Sequence, residues 1–399
     1  MNVYGIEPAG VKMQSPLLSS NYSDRLGCYR VGDLKFYSKL EAIEMHTKTG
    51  IHPHWDFNEA VFSSYNWTAE PTDNILELYR KRAQQLREKY DYIVLMYSGG
   101  SDSHNILQAF IDNDILLDEV ASHVNYSANA NKDDFLNSEA FRVSIPTIER
   151  LKADYPWLHH RIIDMTELTI DYYNQNNNKF DWIYDLNMFF NPNSACRKDL
   201  PFKIKEWADM IHAGKRVCML WGHDKPRIMH IDGKWSMRFI DLIDSGPTVK
   251  SIAGQQPYTD ELFYWTPDMP EIIIKQSHLV KNYLMSNNPE SLPFVSEKKS
   301  DLAYREINSK RHWLNNHGMH SLIYPKWDIN TFSAGKSPSL IFSPRDTWFF
   351  NLSDTLTAHT NWQVGIDKLW QVLPDYWKND PTDMFKGVKA CWSKDYYLQ

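Results

Sequence analysis

The chain has 399 residues, enough for two or three domains and for a sizeable buried core. Apolar residues make up 42% and charged residues 23%, ordinary globular usage, and no run of 18 apolar residues exists to cross a membrane. The formal net charge of −7 argues against a protein devoted to nucleic-acid backbones, although Lys275–Arg345 carries ten Lys/Arg against five Asp/Glu.

Aromatic residues reach 14%, with 15 Trp and 22 Tyr. Core packing is the first explanation of such a load, and stacking on a base or sugar is the sharper one. Cys28, Cys196, Cys218 and Cys391 are scattered, with no Cys-x-x-Cys. That is the pattern of buried thiols in a reduced cytoplasmic protein, not of a disulfide framework or a zinc ribbon. The N-terminal segment lacks a charged region followed by an apolar one, so a signal peptide is not expected.

In chain order, residues 1–24 read as an irregular arm. Cys28–Val31 and Leu34–Tyr37, split by Gly32-Asp33, predict a hairpin. Ser38 caps a helix that Gly50 ends. Residues 71–90 form an amphipathic helix with Ile75, Leu78, Ala83 and Leu86 on its apolar stripe. Tyr92–Tyr97 is a continuous apolar run, the mark of a strand buried on both faces. A helix from Asp102 to Asn113 follows, then a strand at Glu119–Asn125. A helix bent around Pro146 spans 137–154, and a third strand lies at His160–Asp164. Helices over 166–190 and 198–213 precede a fourth strand, Arg216–Trp221. This alternation predicts an α/β fold with a mostly parallel sheet. Past Gly222 it stops. Ile228–Ile231 and Trp235–Ile240 read as a hairpin, 268–286 as a helix, and 300–316 and 361–377 as helical pieces.

The segment that carries chemistry is Tyr97-Ser98-Gly99-Gly100-Ser101-Asp102-Ser103, between a buried strand and a helix. The first N–H groups of a helix lack internal partners and, with the helix dipole, favour an anion. Gly99 and Gly100 let a phosphate approach the backbone, and Ser98, Ser101 and Ser103 add hydroxyl donors. Asp102 would repel a bare phosphate, so it implies a bridging Mg²⁺. This segment carries neither a Gly-Lys-Ser/Thr ending nor a Gly-x-Gly-x-x-Gly fingerprint.

Ser98-Gly-Gly-Ser-Asp-Ser103 resembles the PP-loop of the adenine nucleotide α-hydrolase superfamily, the N-type ATP pyrophosphatases, over roughly residues 90–225. The style is closest to the asparagine synthetase domain. The resemblance implies a Rossmann-like sheet of five parallel strands in the order 3-2-1-4-5 (the HUP type), with helices on both faces. N-terminal and C-terminal additions would flank it. It divides the chain into an N-terminal hairpin and helix extension (1–89), an ATP-binding α/β domain (90–225) and an aromatic-rich, mainly helical region shaping the substrate pocket (226–399). It implies ATP and Mg²⁺ as cofactors. Tyr97, Ser98, Gly99, Gly100, Ser101, Asp102, Ser103, Asn125 and Gly222 would hold the nucleotide, and Asp102 and Asp224 the metal. Trp221-Gly-His-Asp-Lys-Pro-Arg227 is similar to a second, carboxylate-bearing loop of the family, with the spacing changed by one. Lys225, Arg227 and Arg197 would stabilise charge on the α-phosphate, beside Asp102. Arg197 and Lys198 are read at a helix start, where a cation is electrostatically unfavourable and implies a ligand.

Other signals stay with ordinary structure. His52/His54, His159/His160 and His312/His317/His320 lack zinc spacing, and Asp241/Asp244 reads as a loop pair. No N-terminal cysteine follows Met1, so no glutaminase nucleophile is expected. The expected function is an AMP-forming ligase or amidotransferase-like enzyme. It adenylates a carboxylate or carbonyl oxygen of a small acceptor, releases pyrophosphate, and lets an amine or ammonia displace AMP. A phosphoadenylylsulfate reductase or sulfurylase relying on Cys391, and a nucleotide-binding module without turnover, are the alternatives. Nucleic acid and membrane partners are not expected, and a homo-oligomer is compatible with the sequence.

Overall fold

The structure is a computed structural model that describes residues 24–124, 140–186, 192–197, 200–223, 225–241, 258–287, 320–327, 349 and 356–399. The predicted hairpin forms from β1 (Cys28–Val31) and β2 (Leu34–Phe36). Ser38 caps α1 (Lys39–Thr49), accepting the Glu41 N–H at 3.4 Å. β3 (His54–Asp56) then pairs with the free side of β1 to complete a small antiparallel sheet. After α2 (Glu59–Phe62) comes the predicted amphipathic helix, α3 (Ile75–Lys89). It starts later than its sequence pattern because Asn74 is the cap and accepts the Glu77 N–H at 2.9 Å.

The α/β unit opens with β4 (Tyr92–Met96), α4 (Ser101–Ile111) and β5 (Glu119–Val124). A π-helical turn, Ala140–Ser144, leads into α5 (Ile145–Asp154). Pro146 sits in the first turn of α5, just after the helical winding changes from π to α. β6 (His159–Asp164) and α6 (Thr166–Gln175) follow. After α7 (Pro192–Arg197), the helix predicted over 198–213 is divided into α8 (Leu200–Lys203) and α9 (Lys205–His212) before β7 (Val217–Trp221). The second hairpin is β8 (Arg227–Ile231) with β9 (Lys234–Arg238). Then β10 (Tyr258–Leu262), which the sequence pattern does not signal, returns to the main sheet. α10 (Glu271–Asn287), helices His320–Ile323 and Thr357–Val372, and β11 (Tyr396–Leu398) complete the described elements. β11 pairs with β9 in a third, antiparallel sheet. The helix predicted over 300–316 lies outside the described residues.

The molecule is therefore α/β, with a five-stranded parallel sheet in the order β10-β7-β4-β5-β6. Successive strand residues point to opposite faces. Val94, Met96, Val217 and Met219 pack with Trp207 and Ile211 of α9 on one face. Ile93, Leu95, Cys218 and Leu220 pack with Leu86 of α3 and Ile106 and Phe110 of α4 on the other. Helices thus cover both faces, which is why β4 and β7 read as unbroken apolar runs. From β4 the chain builds β5 and β6 to one side, then crosses back to place β7 and β10 on the other. The loops after β4 and β7 leave from adjacent strand ends on either side of this reversal, where a parallel sheet opens a crevice.

Two buried ion clusters tie distant segments together. Lys39 and Asp241, both fully buried, pair at 2.7 Å, and Asp241 also accepts from Tyr29 Oη and the Cys391 N–H. Asp241 is thus a structural residue joining α1 to the C-terminal region, and Asp244 lies outside the described residues. Glu261 of β10 is buried against fully buried Arg82 at 2.9 Å and takes Arg25 at 2.7 Å and Lys89 at 2.8 Å as well. No helix among the described residues is long and apolar enough to cross a membrane.

Candidate functional site

β4 delivers the chain into the glycine-rich loop while still in the ladder, since the Tyr97 N–H donates to Ala121 O at 2.8 Å. Gly99 then turns with φ +78°, a region that side chains avoid. A Cβ there would lie 3.1 Å from the backbone N and Cα of Ser144, so the wall behind the loop is main chain that cannot swing aside. Gly99→Ala is expected to weaken binding of ATP or pyrophosphate about tenfold, corresponding to roughly 1–2 kcal/mol of loop distortion. Titration calorimetry checks this, and unchanged affinity would show that the loop conformation is not used.

α4 begins at Ser101, and its N-cap residue, Gly100, has no side chain to cap the helix. Its first intrahelical bond is His104 N–H to Gly100 O at 3.0 Å. The N–H groups of Ser101, Asp102 and Ser103 therefore precede the helical ladder. Within the loop, Ser98 N–H donates to Ser103 Oγ at 3.2 Å and Gly100 N–H donates to Ser98 Oγ at 3.3 Å. Serine hydroxyls and helix N–H groups are thus gathered at one helix end, with its positive dipole.

Gly222, just after β7, is the second glycine with a steric reason. A Cβ would lie 3.0 Å from Ser103 N and Asp102 Cβ, so only glycine lets the loop after β7 close on the start of α4. That closure brings in Lys225, whose Nζ donates to Asp102 Oδ2 at 2.8 Å. Tyr324 donates to Asp102 Oδ1 at 2.5 Å, and Tyr264, just past β10, donates to the Asp102 carbonyl at 2.8 Å. Burial, with the Asp102 charge adding to it, pushes both phenols well above the usual tyrosine range, so they act as donors. Tyr79 Oη donates to Ile323 O, which anchors the segment carrying Tyr324.

The predicted residues divide clearly. Ser98, Gly99, Gly100, Ser101, Asp102, Ser103, Gly222 and Lys225 meet at this loop. The Tyr97 ring does not. It is buried in the core, its hydroxyl 3.1 Å from His104 Nδ1, so what Tyr97 brings to the loop is its backbone. Arg197 does not open a helix: it is the last described residue of α7, and Lys198 lies outside the described residues. Arg227 starts β8 and is buried. Asn125 and Asp224 lie outside the described residues. Sequence reasoning missed Tyr264 and Tyr324, which reach Asp102 from 162 and 222 residues away and carry no local motif. It also missed Asp260 of β10, whose Oδ1 accepts the Trp221 indole N–H at 2.8 Å. Burial pushes the Asp260 carboxyl up to about 7 against that hydrogen bond.

Anions and Mg²⁺ fit this chemistry to different degrees. Phosphates fit the uncapped helix end, the serine hydroxyls and Lys225 directly. For the metal, Asp102 is the one carboxylate seen at the loop, and no group of three acidic, His or Cys ligands occurs among the described residues. A phosphate-bound Mg²⁺ that keeps its waters needs only one or two carboxylates, so Asp102 fits that mode and not a protein-built cage.

Fold and site together define an α/β protein with a glycine- and serine-rich strand-to-helix loop at the reversal of a parallel sheet, faced by a lysine and two tyrosines on one aspartate. No protein-family model matches the chain, and no curated protein matches it.

Proposed function

We propose that the chain binds ATP on Ser98–Ser103 and cleaves it between the α- and β-phosphates. The acceptor is a small molecule whose carboxylate or carbonyl oxygen attacks the α-phosphorus, releasing pyrophosphate. An amine or ammonia then displaces AMP. The observation that carries the reading is the meeting of Lys225 with the uncapped start of α4 at the sheet's reversal. A cation is thereby held beside an anion cradle, where negative charge grows during transfer. The strand order supports it too. Counted from the strand before the loop, the sheet reads 3-2-1-4-5, the arrangement expected of the PP-loop superfamily and its HUP-type relatives.

In this reading the loop N–H groups and serine hydroxyls hold the β- and γ-phosphates, and Lys225 leaves Asp102 for the α-phosphate. Bound Mg²⁺ offsets phosphate charge, with Asp102 as its protein ligand and Asp224 as the second carboxylate. Arg227 and Arg197 are the further cations of the proposal. An open cleft of about 310 Å³ between α3 and α4 reaches Asn105, whose amide donates to Tyr264 Oη and so touches the shell around Asp102. The reductase alternative fits less well, because Cys391 is buried and burial pushes its thiol far up, away from a reactive thiolate. The protein is proposed to act in the cytoplasm.

The test is product analysis with ATP, Mg²⁺ and a panel of amino acids and amines. AMP with pyrophosphate is expected, stimulated by the true acceptor. ADP with phosphate would exclude α,β-cleavage. Tight ATP binding without any product would favour a nucleotide-binding module.

A further inference from the structure

Behind the glycine loop lies a chain of polar groups that the proposed chemistry does not use. His160 of β6 places Nε2 3.1 Å from Ser122 Oγ on β5, and its Nδ1 3.5 Å from Glu149 Oε1 on α5. Ser122 Oγ lies 3.1 Å from the Tyr97 carbonyl and 3.2 Å from Ser144 Oγ, and Ser144 Oγ is 3.4 Å from the same carbonyl. Both serines are buried. The order resembles a nucleophile–imidazole–carboxylate triad, but a serine buried within a central strand cannot meet a substrate. What it does touch is the peptide group that opens the phosphate loop.

Counting protons gives the arrangement a direction. Ser122 has one hydroxyl hydrogen. Nδ1 lies at ion-pair distance from the Glu149 carboxylate without hydrogen-bond alignment, and that negative charge favours the proton on Nδ1 when His160 is neutral; Nε2 then carries a lone pair and takes the Ser122 hydrogen. The Tyr97 carbonyl is then served by Ser144. With His160 protonated, Nε2–H donates to Ser122 Oγ, and the Ser122 hydrogen turns to the Tyr97 carbonyl. That carbonyl shares a rigid planar peptide with the Ser98 N–H, which donates to Ser103 Oγ inside the loop. A hydroxyl flip behind the loop thus changes the polarisation of a donor within it. Ser144 adds a second link, because its backbone is the wall against Gly99.

We infer that His160 is a positioning residue for the glycine loop: its protonation turns the Ser122 hydroxyl from the imidazole to the Tyr97 carbonyl. The inference rests on reading Ser98–Ser103 as the phosphate cradle. The charged groups that act on His160 are Glu149 and Lys152 of α5 and its neighbour His159 on β6. Burial lowers the His160 pKa, and Glu149 opposes that shift. The flip therefore belongs to a pH below the ordinary imidazole value.

The test is NMR of the full ¹⁵N-labelled chain without nucleotide between pH 7.5 and 5, with the His160 signal assigned from its loss in His160→Gln. Neutral His160 is expected as the Nδ1–H tautomer. The Ser98, Gly99 and Gly100 amide signals should shift with the His160 midpoint, and that component should be lost in Ser122→Ala while His160 still titrates. A neutral Nε2–H tautomer would overturn the inference, and wild-type protein alone decides that point if Ser122→Ala does not fold. Loop amides that ignore the His160 titration, or follow it equally in Ser122→Ala, would overturn it as well. Failure of ATP to bind at any pH would remove the phosphate reading and leave the coupling itself intact.

Discussion

Asp102→Asn is expected to lower ATP turnover in Mg²⁺ by at least roughly a hundredfold, the usual effect of losing one transition-state electrostatic contact. The same variant should bind ATP more tightly than wild type when Mg²⁺ is left out. Both effects follow from one charge. Asp102 stands in the first turn of α4, beside the N–H groups proposed to hold phosphate, and a carboxylate there repels a bare triphosphate. In the proposed function a bound Mg²⁺ would take the carboxylate as its ligand, and the sign would reverse. Lys225 sharpens the contrast, since it is held in an ion pair with Asp102 that the proposed nucleotide would have to break. The crossing of the two affinities, with and without Mg²⁺, separates this role from a structural one, because a misfolded loop would lose affinity in both. Turnover within threefold of wild type would sink the metal role.

Glu261→Gln should lower stability by about 3–5 kcal/mol, because it leaves the fully buried Arg82 guanidinium without its nearest carboxylate. A domain's whole stability is about 5–15 kcal/mol, so such a loss is severe. Burial alone would raise the Glu261 carboxyl, but Arg82, Arg25 and Lys89 outweigh it and hold the pKa at about 2, against an ordinary 4.5. That displacement corresponds to about 3 kcal/mol, in line with the loss expected from the variant. The group is depressed in the folded state. Its contribution is therefore complete above pH 4.5 and is lost as pH falls toward 2. Urea unfolding of both proteins at pH 7 and at pH 3 measures the effect. The gap between them should narrow at the lower pH, and a loss below 1 kcal/mol at pH 7 would mean that solvent screens the cluster.

Much of the fold was legible because its signals are local. The continuous apolar runs of β4 and β7 reflect burial on both faces, and a reader of the sequence meets that as unbroken hydrophobicity. The two hairpins announce themselves through Gly32-Asp33 and Asp232-Gly233, and α1 through its Ser38 cap. The strand-to-helix loop proposed as the anion cradle was legible too, because glycines, serines and an aspartate between a strand and a helix have a direct physical meaning within seven residues. β10 was not legible. Its sequence, Tyr-Thr-Asp-Glu-Leu, places two acids side by side in a strand, which read alone argues for exposure. Those acids are tolerated because Trp221 meets one, while Arg25, Arg82 and Lys89 meet the other.

The sequence by itself therefore determined the α/β class, the strand–loop–helix that carries the candidate chemistry, and the caps and turns around it. Each of these depends on neighbours a few residues apart. Only the tertiary structure decided that the Tyr97 ring belongs to the core and that Lys225, Tyr264 and Tyr324 converge on Asp102. For the convergence on Asp102 the physical reason is distance along the chain. These pairings depend on partners brought from 123, 162 and 222 residues away, and no local pattern of apolar period or turn chemistry records which partner will arrive.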